Sequence, residues 1–366
     1  MKMTFRWYGF NDDPITLEQV KQIPGMSGVV PALFDMQAGD EWPEDKIKAL
    51  IEGIHAEGLE AEVIESVNIS DDIKNAGPLR DQHIENYKKT ITTLGKYGVK
   101  VICYNFMPVF DWLRTDLAYP LPDGSNALAY FKDEVPESAE TLIKNIEEAS
   151  NGFSMAGWEP ERLANIKGLF AKYEGVTDEI LFDNLVYFLE AIMPTCEAAD
   201  VKMAIHPDDP PYSLFGLPRI INTQDNLRKM LDAVDNPYNG LTLCTGSLGA
   251  NPKNDVVAIT KEFAARDRVP FMHMRNIKFT DDTKLNFHES AHLTSAGSVD
   301  MYGVVRALVE AGWDGYVRPD HGRMIWGDDG RPGYGLYDRA LGATYLNGLF
   351  EAVEKDAKLG AVKPVK

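Results

Sequence analysis

The stretch MYGVVRALVEAGWDGYVRPDH, residues 301–321, holds the repeating unit of the fold. Met301, Val304, Val305 and Leu308 recur at three- and four-residue spacing, which is the mark of a helix with one buried face. Gly312 stands where such a helix ends. A short β-prone run, Gly315 to Val317, then empties into Arg318, Pro319, Asp320 and His321. Working outward, the chain alternates strand-like and helix-like runs eight times. The strand candidates are TFRWYG (4–9), GVVPAL (28–33), EAEVIES (60–66), VKVICYNF (99–106), VKMAIHP (201–207), GLTLCTG (240–246), VPFMHMRN (269–276) and GYVRPDH (315–321). Helical periodicity covers 44–58, 226–234, 255–267 and 301–312, and Gly58, Gly98 and Gly312 fit as helix ends. Eight β-then-α units predict an α/β fold of the (β/α)8 TIM-barrel type, in a single catalytic domain spanning 1–366. The first strand lacks G-x-G-x-x-G, so a dinucleotide site has no support. Long loop insertions are expected after strands four (107–177) and seven (278–299), on the face where barrel enzymes build their sites. The first of these is rich in Trp, Tyr, Phe and Pro and reads as a lid or an oligomer contact. A mobile tail is expected at about 357–366.

The bulk numbers narrow the function. A formal net charge of −19 repels phosphate backbones and anionic membranes, so neither nucleic acid nor membrane is an expected partner. An anionic small molecule would need cations gathered locally. Three widely spaced cysteines, Cys103, Cys196 and Cys244, do not form a disulfide framework. With no apolar signal core at the start, the expected compartment is the cytoplasm, and base rates favour a homodimer.

The chemistry collects at strand ends. His206 ends MAIH, Cys244 ends LTLC, His273 sits in FMHMR and Asp320 ends YVRPD. Each alone has an ordinary explanation: a structural hydrogen bond, a core thiol, a helix cap. Together, on four consecutive strands, they converge above one barrel mouth as imidazole, thiolate and carboxylate ligands for a divalent ion. Such a set accepts Mn²⁺, Fe²⁺ or Co²⁺. Arg275, Arg318 and Arg323 suit a substrate carboxylate, and Arg6 and Tyr8 close the ring from strand one. His321 follows Asp320 directly, so in a regular strand it would point away. At a strand end it can swing toward the substrate, with a reference pKa suited to proton transfer. Tyr334, in a glycine-flanked loop, is the candidate for its acid–base partner, the ordinary alternative being a packing aromatic.

HESAH, residues 288–292, fits the H-E-x-x-H zinc-protease pattern. That motif needs a helix that places both histidines on one face, and the polar, turn-rich flanks here do not read as one. His288 and His292 are instead expected to line the barrel mouth or to lock the loop. Other readings stay open on the residues alone. They are a metal-dependent sugar isomerase or epimerase of the same barrel class, or a non-catalytic protein that binds a metal and a sugar acid.

The set IHPDDPP (205–211), LTLCTGSLGA (241–250), HMRN (273–276), FHESAHL (287–293) and RPDHGRMIWGD (318–328) resembles the mannonate dehydratase family. So do FRWYG (5–9) and GRPGYGLYDRALGATYLNGL (330–349), and the likeness runs over nearly the whole chain. The resemblance implies a TIM-barrel hydro-lyase of hexuronate catabolism that converts D-mannonate to 2-keto-3-deoxy-D-gluconate with Mn²⁺ or a similar ion. It places metal ligands on His206, Cys244, His273 and Asp320, and acid–base roles on His321 and Tyr334.

Overall fold

The computed structural model describes residues 1–150 and 166–358. Among them the strands in chain order are β1 Lys2–Arg6, β2 Met26–Val30, β3 Val63–Glu65, β4 Val101–Tyr104, β5 Asp116–Pro120, β6 Asn126–Tyr130, β7 Lys202–Ile205, β8 Asn239–Cys244, β9 Phe271–His273, β10 Asn276–Phe279, β11 Phe287–Ser290 and β12 Tyr316–Arg318. Eight of these pair side by side in the order β2-β1-β12-β9-β8-β7-β4-β3, all parallel. The ring closes between β2 and the segment leading into β3. There Val29 N–H donates to the Glu60 carbonyl at 2.8 Å, and Glu60 N–H donates to that of Ser27 at 3.1 Å.

Alternation along these strands separates two apolar regions. Val30, Val63, Val101, Cys103, Ala204 and Phe271 fill the barrel interior. Their neighbours Val29, Ile64, Ile102, Met203 and Met272 face outward, into the main core beneath the helices. Both faces are covered, so the strands read as continuous apolar runs rather than as polar–apolar alternation. The helices follow the expected spacing. Helix Glu44–Ala56 buries Ile47, Leu50, Ile51 and Ile54, one stripe at i, i+3, i+4 and i+7. Each such fully buried side chain contributes roughly 1.5–3 kcal/mol. Gly58, Gly98 and Gly312 do end their helices, all in the left-handed region (φ +77°, +90° and +66°). Among the described residues no helix is long and apolar enough to cross a membrane.

The stretches after β4 and β9 depart from the expected loops. Together they build a second, antiparallel sheet in the order β10-β11-β6-β5. The two hairpins are stitched where Phe287 pairs with Tyr130 and His288 with Ala129. Pro122, Asp123 and Gly124 turn the chain between β5 and β6, with Gly124 at φ +83°. Local turn residues carry no trace of the pairing between hairpins far apart in sequence. The first three residues of HESAH, His288–Ser290, accordingly lie on a strand, and Ala291 and His292 follow it. Part of the 107–177 stretch (151–165) and most of the expected mobile tail (359–366) lie outside the described residues.

Barrel closure leaves no room for a side chain at Gly28, where a Cβ would sit 2.3 Å from the Glu60 carbonyl oxygen. Gly28→Ala should therefore cost about 1–3 kcal/mol. The check is a lowered thermal midpoint by far-UV circular dichroism, with Gly28→Val lower still.

Candidate functional site

The C-terminal ends of β7, β8, β9 and β12 deliver the four candidate ligands to one point. Ligand atoms of His206, Cys244 and His273 all lie within 4.8 Å of one another. Asp320 adjoins them, with Oδ2 3.7 Å from Cys244 Sγ and Oδ1 3.7 Å from His273 Nδ1. Register explains the convergence, because β9 pairs His273 with Cys244 on one side and with Arg318 on the other. Asp320 lies just beyond the end of β12, where its backbone turns left-handed (φ +54°). That turn lets two successive side chains, Asp320 and His321, both face the cleft, which a regular strand forbids.

The donor set fits a divalent ion. His206 Nδ1 lies 2.7 Å from the Pro207 carbonyl, so it carries the proton and leaves Nε2 as the ligand atom. His273 has Glu65 Oε2 at 3.2 Å from Nε2, the carboxylate partner that a ligating histidine commonly has. Cys244 Sγ accepts from the Ser247 backbone N–H (3.4 Å) and hydroxyl (3.1 Å).

A cleft opens beside this cluster, lined among others by Arg6, Glu65, Asn105, Trp112, His206, Asp320, His321 and Tyr334, while Cys244 and His273 lie buried behind it. His321 Nε2 is 2.8 Å from the Tyr334 hydroxyl, and its Nδ1 is 3.3 Å from Glu289 Oε1. The two residues read as an acid–base pair are thus hydrogen-bonded to each other. Burial raises the Tyr334 phenol well above its ordinary value. Tyr8 packs edge-on behind Tyr334 at 5.3 Å between ring centroids.

The arginines sort differently from their expected roles. Arg275 is buried and tied to Asp209 (2.6 Å), Glu289 (2.7 Å) and Asp320 (2.9 Å). Arg318 is bound to Glu65 (2.9 Å) and Asp320 (2.6 Å). Arg323 pairs with Asp338 and Asp123, both at 2.8 Å, and does not line the cleft. Arg6 alone of the four has no carboxylate within ion-pair distance among the described residues. It donates to the Val30 carbonyl at 2.9 Å and lies over the Tyr8 and Phe34 rings.

Neither HESAH histidine lines the cleft. His288 stacks on Tyr119, and His292 Nε2 lies 2.5 Å from the Pro319 carbonyl, bracing the turn that carries Asp320. A strand puts His288 and Glu289 on opposite faces, so the protease geometry is absent.

Several site residues escaped the sequence reading. Glu65 had the same strand-end signal as the four ligands. Asp209 stands three residues past His206, and Glu289 lay inside the discounted motif. Arg114 had no local signal, yet it is fully buried between Asp209 (2.7 Å) and Glu289 (2.8 Å). Arg339 donates to the carbonyls of Tyr334 (2.5 Å), Gly335 (2.8 Å) and Arg6 (3.0 Å), pinning the Tyr334 loop to the end of β1. Burial lowers the Arg339 guanidinium to about 10.

Burial would raise the Glu289 carboxyl, but Arg275 and Arg114 outweigh it and hold it down to about 2. The folded value is depressed below 4.5, so the stabilisation is complete above that pH and is lost as pH falls toward 2. Arg114→Met should cost about 3–5 kcal/mol at neutral pH by leaving buried carboxylates underpaired. It should also move acid unfolding to higher pH, read by tryptophan fluorescence.

Comparison with known proteins identifies the chain's family. The family described as D-mannonate dehydratase (UxuA) matches residues 1–359. Mannonate dehydratase of Lactococcus lactis subsp. cremoris is 54% identical over 356 residues, covering 97% of this chain and 99% of the relative. The crystal structure of mannonate dehydratase from Streptococcus suis serotype 2 superposes with a TM-score of 0.87 at 49% identity, covering 98% of this chain and 96% of that one. A xylose isomerase domain protein from Planctomyces limnophilus, at 13% identity and a TM-score of 0.55, covers 96% of this chain and 98% of its own and shares the fold alone. With a family match across nearly its whole length, and relatives near half identical end to end, the chain belongs to the mannonate dehydratase family.

Proposed function

We propose that this chain removes water from D-mannonate to give 2-keto-3-deoxy-D-gluconate, using a divalent ion, Mn²⁺ first and Fe²⁺ or Co²⁺ as substitutes. The observation that carries the reading is the buried His206–Cys244–His273 cluster, with Asp320 beside it, next to a cleft that His206, Asp320, His321 and Tyr334 line. His206, Cys244, His273 and Asp320 would hold the ion. Asp320 already accepts from Arg318 and has Arg275 Nε 2.9 Å away, and a carboxylate has lone pairs left for a further partner. A bound divalent ion supplies Lewis-acid polarisation of the substrate carboxylate and C2 hydroxyl, a contribution of several kcal/mol.

The chain's own residues account for the proton transfers. His321 takes the C2 proton and Tyr334 protonates the departing C3 hydroxyl, which leaves as water. The resulting enol becomes the 2-keto group. Burial keeps the Tyr334 phenol protonated, which suits the acid. Each such transfer contributes roughly 10²–10⁴-fold. Arg6 is the carboxylate partner, since it lines the cleft and, among the described residues, has no carboxylate within ion-pair distance.

Charge balance favours an acid substrate over a neutral sugar. Arg114, Arg275 and Arg318 are paired with Asp209, Glu289, Glu65 and Asp320, whereas Arg6 lines the cleft with no carboxylate within ion-pair distance among the described residues.

Purified protein with Mn²⁺ and D-mannonate should form the 2-keto product, and a chelator should abolish it. No product from mannonate or related aldonates would sink the reading. Arg6→Gln should raise KM at least about tenfold with a smaller change in kcat, whereas Tyr334→Phe should lower kcat about 10²-fold or more.

A further inference from the structure

Glu289 sits in the middle of the H-E-x-x-H pattern and has no part in the proton transfers above. It reaches the site from β11, outside the barrel. Its Oε1 accepts from Arg114 Nη2 (2.8 Å) and Arg275 Nη1 (2.7 Å) and lies 3.3 Å from His321 Nδ1. Its Oε2 accepts from Arg275 Nη1 at 2.9 Å. The carboxylate is completely buried, as is Arg114, and β11 is held between β10 and β6. A carboxylate fixed in this way can only accept a hydrogen bond.

We infer that Glu289 is a positioning residue. It holds His321 in the tautomer with hydrogen on Nδ1, and so aims the Nε2 lone pair at Tyr334 and the substrate. The inference rests on the dehydratase reading for its kinetic part. In this arrangement the Tyr334 hydroxyl donates to Nε2 at 2.8 Å, and Nδ1–H donates to Glu289. When His321 takes a proton on Nε2, the imidazolium faces a carboxylate already in place. The logic is that of a carboxylate orienting a histidine in a hydrolase triad, where wrong-tautomer variants keep their geometry but lose most of the rate. Arg114 and Arg275 serve the same end by fixing the carboxylate and keeping it charged. The sheet built after β4 and β9 therefore supplies part of the acid–base apparatus.

Two measurements test this on the full-length chain. The first is ¹⁵N NMR of histidine-labelled, metal-free protein above the imidazole titration range. It should show His321 with hydrogen on Nδ1, and Glu289→Gln should redistribute the tautomers. The second is steady-state kinetics of Glu289→Gln with Mn²⁺. We expect kcat to fall about 10²-fold or more, with KM and Mn²⁺ affinity within about threefold of wild type. The proposal is overturned if wild-type His321 carries hydrogen on Nε2, or if kcat stays within about threefold. A joint loss of Mn²⁺ affinity and cooperative unfolding, in step with kcat, would overturn it too, since that marks a role in the fold. Should Glu289→Gln fail to fold, the wild-type spectrum still decides. An inactive wild type would overturn the dehydratase reading and leave the tautomer result standing on its own.

Discussion

Arg114 and Arg275, locked between Asp209 and Glu289, bind four separate stretches of the chain into one site. Asp209 follows β7, Arg275 follows β9, Glu289 lies on β11, and Arg114 precedes β5. Removing such charges from water costs several kcal/mol per ion, which is recovered only with close, well-aligned partners. A pair of this kind adds little net stability, but it tolerates few alternative geometries. The barrel mouth and the second sheet are thereby held in a single relative placement, and His321 sits at their junction.

The barrel contributes convergence. Parallel strands closed in a ring turn their C-terminal ends toward one another, so residues distant in sequence meet without any loop having to fold over them. The left-handed turn at Asp320 adds something regular strand geometry cannot, since it puts a candidate ligand and a proton-transfer residue side by side on the same cleft. His292, braced on the Pro319 carbonyl, supports that turn from behind. The H-E-x-x-H residues thus act as scaffold: one histidine holds the turn, the glutamate holds His321, and the other histidine faces away.

Charge in the interior is matched almost group for group. This explains how a chain with a net charge of −19 can present a site suited to an anion. Most of the arginines near the mouth are neutralised where they stand, and Arg6, lying on aromatic rings, keeps its charge available. Counting cations near a strand end therefore overstated how many were free to meet a substrate. A partner carboxylate from another element is invisible to local sequence.

Local periodicity determined the eight barrel strands, the helices between them and their glycine ends, because those follow from which side chains must leave water. The same alternation put His206, Cys244 and His273 on the inner face at their strand ends, and Glu65 was legible on the same ground, whereas Asp320 lies in the left-handed turn beyond β12. Tertiary structure alone decided which arginines were spent on internal ion pairs. It alone joined two hairpins about 150 residues apart into one sheet, and it alone brought Arg114 and Glu289 to His321. The reason is physical. Burial and pairing within an element leave a periodic trace in sequence, whereas an ion pair between elements depends on where the whole chain puts them.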